Sequence, residues 1–143
     1  MQNSLLSKYS GAVPRYTSYP TAPHFDEAVD CGKYAQWLQA ITAKERISLY
    51  LHIPYCDRLC WFCACHTKHT LKYEPIAIYL ESLKKEIAAV GALVSRDAAV
   101  TAVHFGGGSP TMVRPEDLIS LMDCLKAAFS FGERVEISVE MDP

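Results

Sequence analysis

Apolar and polar positions alternate most cleanly over Ile47-Ser-Leu-Tyr-Leu-His-Ile-Pro54, a β-branched run that predicts a strand closed by its proline. Ala99 to Phe105 carries the same signature, and Arg134 to Asp142 predicts a third strand in which Glu136 is a solvated strand-start residue. Between these runs the spacing changes to three and four. Asp26 to Ala43 predicts a helix with Tyr34, Trp37, Leu38 and Ile41 on one face. Pro75 opens a second helix to about Ser95, burying Ile76, Tyr79 or Leu80, Leu83, Ile87 and Val90 and exposing Glu81, Lys84, Lys85 and Glu86. A third helix runs from Pro115 to about Phe129, with Leu118, Leu121, Met122, Leu125 and Phe129 inward. His66 to Tyr73 reads as a polar connection. Residues 1–25, broken by Pro14, Pro20 and Pro23, read as an extended arm whose Tyr9, Tyr16, Tyr19 and Phe25 pack against the domain.

Strand, helix, strand, helix, strand implies an α/β fold with parallel strands joined by right-handed crossovers. Three strands cannot close a barrel on their own. Residues 1–46 would form the arm and helix, and 47–143 the β-α-β-α-β core.

Composition narrows the class without naming a function. The 143 residues are 50% hydrophobic, enough for one buried core. The formal net charge of −2 comes with no basic run or basic–aromatic stripe, which argues against nucleic acid as a partner. No apolar run is long enough to span a bilayer, and no signal peptide, repeat or low-complexity segment stands out. The expectation is a soluble cytoplasmic protein.

Cysteine usage changes the picture most. Four of the six cysteines fall within Cys56-Asp-Arg-Leu-Cys60-Trp-Phe-Cys63-Ala-Cys65, directly after the first strand. Zinc knuckles generally use two pairs separated by a longer spacer, and a C-x-C pair would be awkward on one tetrahedral ion. Disulfides fit poorly with a cytosolic composition. The better reading is an iron–sulfur cluster held by Cys56, Cys60 and Cys63. A four-iron cluster normally takes four cysteines, so three leave one iron open to a small molecule. His66 and His69 are possible ligands, with a hydrogen-bonded surface role as the default. Cys31 reads as an ordinary thiol, and Cys124, off the centre of the third helix's stripe, as structural.

The second strand runs into Gly106-Gly107-Gly108-Ser109-Pro110. Glycines there let a backbone approach a ligand and expose amide groups to it. Both the cysteine loop and this turn follow strand C-termini, where parallel α/β folds place their chemistry. Glu140, near the end of the third strand, offers a carboxylate to a ribose or an amino group.

The three-cysteine loop after a strand resembles the radical S-adenosylmethionine (SAM) superfamily. Arg15-Tyr-Thr-Ser-Tyr-Pro-Thr21, Leu49-Tyr-Leu-His-Ile-Pro-Tyr-Cys56, the C-x2-C-x-C segment and His104-Phe-Gly-Gly-Gly-Ser-Pro-Thr111 together are similar to the oxygen-independent coproporphyrinogen III oxidases. The resemblance covers about Val13 to Pro143. It implies a partial (β/α)6 barrel, TIM-like and truncated here to its N-terminal half, with a [4Fe-4S] cluster on Cys56, Cys60 and Cys63. It also implies SAM contacts at Tyr50, Phe62, Gly107, Gly108, Ser109 and Glu140. Ser109 stands where the family has threonine and keeps the hydroxyl. Cys65 matches a fourth cysteine that is not a cluster ligand and is the candidate catalytic residue.

By the same resemblance, a SAM-derived radical takes hydrogen from the propionates of coproporphyrinogen III. Loss of CO2 and of one electron from each resulting radical then leaves the vinyl groups of protoporphyrinogen IX. An electron donor such as a flavodoxin-like protein is implied, and a monomer when complete. Two rivals stay open: a non-catalytic haem- and cluster-binding relative, and a zinc-binding module. The C-x-C pair and the Arg15–Thr21 arm favour the oxidase over the carrier.

Overall fold

A computed structural model of the chain describes residues 7–8, 10, 22–25, 27–43, 45–58, 60 and 66–142. Helix α1 spans Cys31–Gln39, β1 Arg46–Ile53, β2 Tyr55–Cys56 and β3 Lys68–His69. They are followed by α2 at Glu74–Gly91, β4 at Ala99–Gly107, α3 at Pro115–Ala128 and β5 at Ser130–Val139. Strands β1, β4 and β5 form one parallel sheet in the order β1-β4-β5. The expected parallel α/β core is therefore present.

Alternation in β1 sends Leu51 and Ile53 into the core and leaves Tyr50 exposed. In β4, Val103 and Phe105 are buried in the same cluster as Ile76, Leu80, Leu83 and Ile87 of α2 and Leu121 and Leu125 of α3. Gly91 lets α2 approach α3, because a Cβ there would lie 2.7 Å from the Ala128 Cβ. Proline opens the first turn of both helices, and in α3 Glu116 and Asp117 follow it, where the helix dipole favours negative charge.

Several boundaries differ from expectation. Helix α1 begins at Cys31 because the Asp30 side chain accepts the Lys33 N–H at 2.8 Å and caps it there. Tyr34 and Trp37 of α1 stay half exposed, and Leu38 and Ile41 do the packing. The second helix stops at Gly91, short of Ser95. The polar connection holds β3, which pairs in parallel with β2 through Tyr55–Lys68 and Cys56–His69. The third strand begins four residues earlier than expected, at Ser130, since Phe131 already pairs with Val100. A register shift then carries the ladder to Ala102–Glu136, so Glu136 lies mid-strand and is exposed. The arm residues Tyr9, Tyr16 and Tyr19 lie outside the described residues, and Phe25 is exposed rather than packed.

Candidate functional site

The register lines up one polar row across the sheet, with Tyr50 of β1 beside His104 of β4 and His104 beside Ser138 of β5. Period-two alternation puts these three on the face opposite Leu51, Phe105 and Val139. His52, Gly106 and Glu140 follow one step toward the strand C-termini. The sheet thus carries an apolar face against the helices and a polar face at the strand ends.

Hydrogen bonds knit the polar face. The His52 Nε2 lies 3.0 Å from the His66 carbonyl, which only accepts, so that nitrogen carries the proton. The ring's Nδ1 shares a hydrogen bond with the Tyr50 hydroxyl at 3.0 Å. Tyr50 stacks on His104 with ring centroids 5.6 Å apart and planes 18° from parallel. His104 Nδ1 meets Ser138 Oγ at 2.6 Å, and its Nε2 faces Glu140 Oε1 at 3.3 Å. The second carboxylate oxygen of Glu140 accepts the Gly107 N–H at 2.9 Å. That amide bond holds the Glu140 carboxyl below the usual carboxylate range against partial desolvation, with His104 adding to the effect.

The glycine turn is built differently from expectation. Its amides are already committed: Gly107 N–H to Glu140, Gly108 N–H to the Ile53 carbonyl at 2.8 Å, and Ser109 N–H to the Tyr55 carbonyl at 2.7 Å. A ligand does not meet free N–H groups at these three residues. Each glycine has a steric reason instead. Gly107 adopts φ +113°, and a Cβ there would sit 2.6 Å from the His52 ring. A Cβ on Gly108 would lie 2.4 Å from the Tyr55 carbonyl oxygen. Ser109 is buried at the base of the turn.

Those same bonds join the turn to the start of the cysteine loop. Cys56 ends β2, its carbonyl accepts the Thr70 N–H at 3.0 Å, and Cys56 and Cys60 are free thiols. His69 Nε2 donates to the Asp57 carbonyl at 2.7 Å, so it braces the loop. Arg58 pairs with Asp142 at 2.9 Å, tying the loop toward the end of β5. Phe62, Cys63 and Cys65 lie outside the described residues. Among the described residues, no three His, Cys, Asp or Glu side chains converge as a metal site. Of the three cysteines expected to hold a cluster, Cys56 and Cys60 are described, and both are free thiols of the kind an iron–sulfur cluster takes.

Sequence reasoning gave His52, His104 and Ser138 no role of their own. Alternation from Tyr50 already puts His52 on its face, whereas His104 and Ser138 need the strand pairing to bring them alongside.

A parallel α/β sheet with a cysteine loop and a glycine turn at its strand C-termini defines a protein of the radical SAM type. Coproporphyrinogen III oxidase from Escherichia coli, described as a radical SAM enzyme, superimposes with a TM-score of 0.82 at 36% identity. That match covers 98% of this chain and 30% of the other. An oxygen-independent coproporphyrinogen III oxidase from Bradyrhizobium diazoefficiens is 47% identical over 92% of this chain and 29% of its own length. One from Mannheimia haemolytica is 40% identical over 98% of this chain and 94% of its own length. The chain belongs to the oxygen-independent coproporphyrinogen III oxidase family. It spans about 30% of the length of the Bradyrhizobium and Paracoccus denitrificans relatives. No family model matches the chain. Among the described residues, no helix is long and apolar enough to cross a membrane.

Proposed function

We propose that this chain contributes the cluster- and SAM-binding part of an enzyme that oxidatively decarboxylates coproporphyrinogen III without oxygen. The observation that carries the reading is the backbone weld at the sheet edge. Gly108 and Ser109 donate to Ile53 and Tyr55, so the glycine turn and the approach to the cysteine loop are one rigid piece. Cys56, Cys60 and Cys63 would hold a [4Fe-4S] cluster, and Tyr50, Phe62, Gly107, Gly108, Ser109 and Glu140 would face SAM. When bound, these groups supply one-electron, hydrogen-abstracting chemistry.

The chain's own residues orient and shield. With the turn's amides committed, the ligand-facing groups at this edge are acceptors, the Glu140 carboxylate foremost. Acceptors of that kind suit an amine or a sugar hydroxyl. Tyr50 offers an aromatic face beside them. Cys65 would act on substrate rather than ligate iron. A tetrapyrrole substrate and a flavodoxin-like electron donor complete the proposal. The cytoplasm, where thiols stay reduced, is the compartment that suits it.

Anaerobic reconstitution with iron and sulfide tests the cluster. About four irons per chain are expected. Cys56→Ala, Cys60→Ala or Cys63→Ala should abolish uptake, whereas Cys65→Ala, Cys31→Ala and Cys124→Ala should leave iron content nearly intact. One zinc per chain without iron uptake would overturn the reading. Iron lost on Cys65→Ala and kept on Cys63→Ala would mean a different triad.

A further inference from the structure

The side chains around Glu140 are more organised than a lone ligand-facing carboxylate requires. His104 is held from three sides: Tyr50 stacks on its ring, Ser138 meets Nδ1, and Glu140 faces Nε2. A carboxylate accepts only, so Nε2 carries a proton toward it, and Nδ1 shares a hydrogen bond with the Ser138 hydroxyl, which can donate or accept. All of this converges over Gly106. A Cβ on Gly106 would lie 2.9 Å from His104 Nε2, 2.9 Å from Tyr50 Cε2 and 3.0 Å from the Glu140 carboxyl carbon. Any side chain at 106 would push the three groups apart.

The backbone alone does not fix the Glu140 carboxylate. Its N–H bond to the Phe105 carbonyl at 2.9 Å sets where the residue leaves the sheet. The side chain is half exposed and has free rotors. Two contacts choose its rotamer: the Gly107 amide on one oxygen and His104 on the other. The amide comes from the turn, so His104 is the side-chain contribution to that choice.

We propose that His104 is a positioning residue that presents the Glu140 carboxylate to SAM, with Ser138 and Tyr50 locking its ring and Gly106 leaving the room. The inference rests on the reading that Glu140 faces SAM. It assigns His104 no contact with SAM.

Equilibrium dialysis of radiolabelled SAM against the cluster-loaded protein tests it, with exchange of the Gly107 amide measured in parallel on the protein without cluster. His104→Leu should bind SAM about tenfold more weakly, the size expected for losing one hydrogen bond to a charged group. Iron content should be unchanged and Gly107 exchange faster. His104→Gln, whose amide can donate from near the Nε2 position, should restore both values. Ser138→Ala leaves the imidazole in place but unlocks Nδ1, and should weaken SAM by about threefold, a smaller effect of the same kind. If His104→Leu does not fold, His104→Gln and Ser138→Ala decide the matter. Wild-type affinity and exchange in Ser138→Ala would then overturn the proposal.

Wild-type affinity in a folded His104→Leu, beside a weakened Glu140→Ala, would overturn the positioning role and spare the site. Unchanged affinity in Glu140→Ala would remove the carboxylate from the SAM site and take the inference with it.

Discussion

Strands β4 and β5 carry the same alternation in register, yet one is sealed and the other open. Val103 pairs with Ile137 and Phe105 with Val139, so all four side chains share one face of the sheet. Val103 and Phe105 are 0% and 1% exposed, whereas Ile137 and Val139 are 54% and 38% exposed. Alternation decides which face a side chain takes. Burial also needs an element above it, and helices α2 and α3 cover β4 while the described residues leave β5 largely uncovered.

The largest expected effect breaks that comparison directly. Phe105→Ala should destabilise the chain by about 3–5 kcal/mol, since a fully enclosed ring leaves a cavity its neighbours only partly fill. Ile137→Ala removes comparable chemistry from an open face and should lose only a fraction of that. Urea unfolding of the two variants checks both values. Equal losses would mean that β5 is covered in solution.

A second prediction sharpens the case for β4, which is held at its end as well as on its face. Gly108→Ala puts a methyl 2.4 Å from the Tyr55 carbonyl oxygen, a backbone atom that cannot rotate away. The expected loss is about 1–3 kcal/mol, typical of overpacking. It should come with faster exchange of the Ser109 amide, whose bond to Tyr55 must lengthen. An unperturbed Ser109 amide would show that the turn and the cysteine loop are not joined as described.

The same contrast explains what the sequence made legible. Strands β1 and β4 could be read almost to the residue because their apolar runs stay unbroken through the register shift near Ile47 and Val100, and alternation holds beyond it, burying Leu51, Ile53, Val103 and Phe105. Strand β5 was misread because Gly132-Glu133-Arg134 interrupts the pattern where the register shifts, and no covering helix demanded apolar residues there. The stripes of α2 and α3 were legible for the same reason as β4, whereas that of α1, with Tyr34 and Trp37 exposed, was not. The two-residue pair β2–β3 was not, since it is held by backbone bonds that leave no side-chain period.

At the site, the cysteine spacing and the glycine run are local and could be read directly. The commitment of the glycine amides could not, because their partners sit on β1, β2 and beyond β5, up to 55 positions away in the chain for Gly108. His104 and Ser138 became visible only once pairing set them beside Tyr50 and Glu140.

The smallest effect concerns the other tie between β4 and β5. Glu140 joins the two strand ends twice, by its N–H to Phe105 and by its carboxylate to the Gly107 N–H. That amide bond lowers the folded-state pKa of the carboxyl beneath its ordinary value of 4.5, so its contribution is present above that value and is lost as pH falls through the lowered folded pKa. Protonation leaves a neutral acid that accepts the Gly107 bond more weakly. The side chain is 50% exposed, so solvent screens most of the gain, and the effect should be small beside those of Phe105 and Gly108. Glu140→Gln keeps the shape and removes the charge. Wild type should be slightly more stable than Glu140→Gln near neutrality, and the gap should narrow as the pH drops below the ordinary carboxylate range. The Gly107 amide proton shift should follow the same titration in wild type and stay flat in the variant. A gap that widens on acidification would mean that the carboxylate binds Gly107 better protonated, which the geometry of a lone N–H donor does not allow.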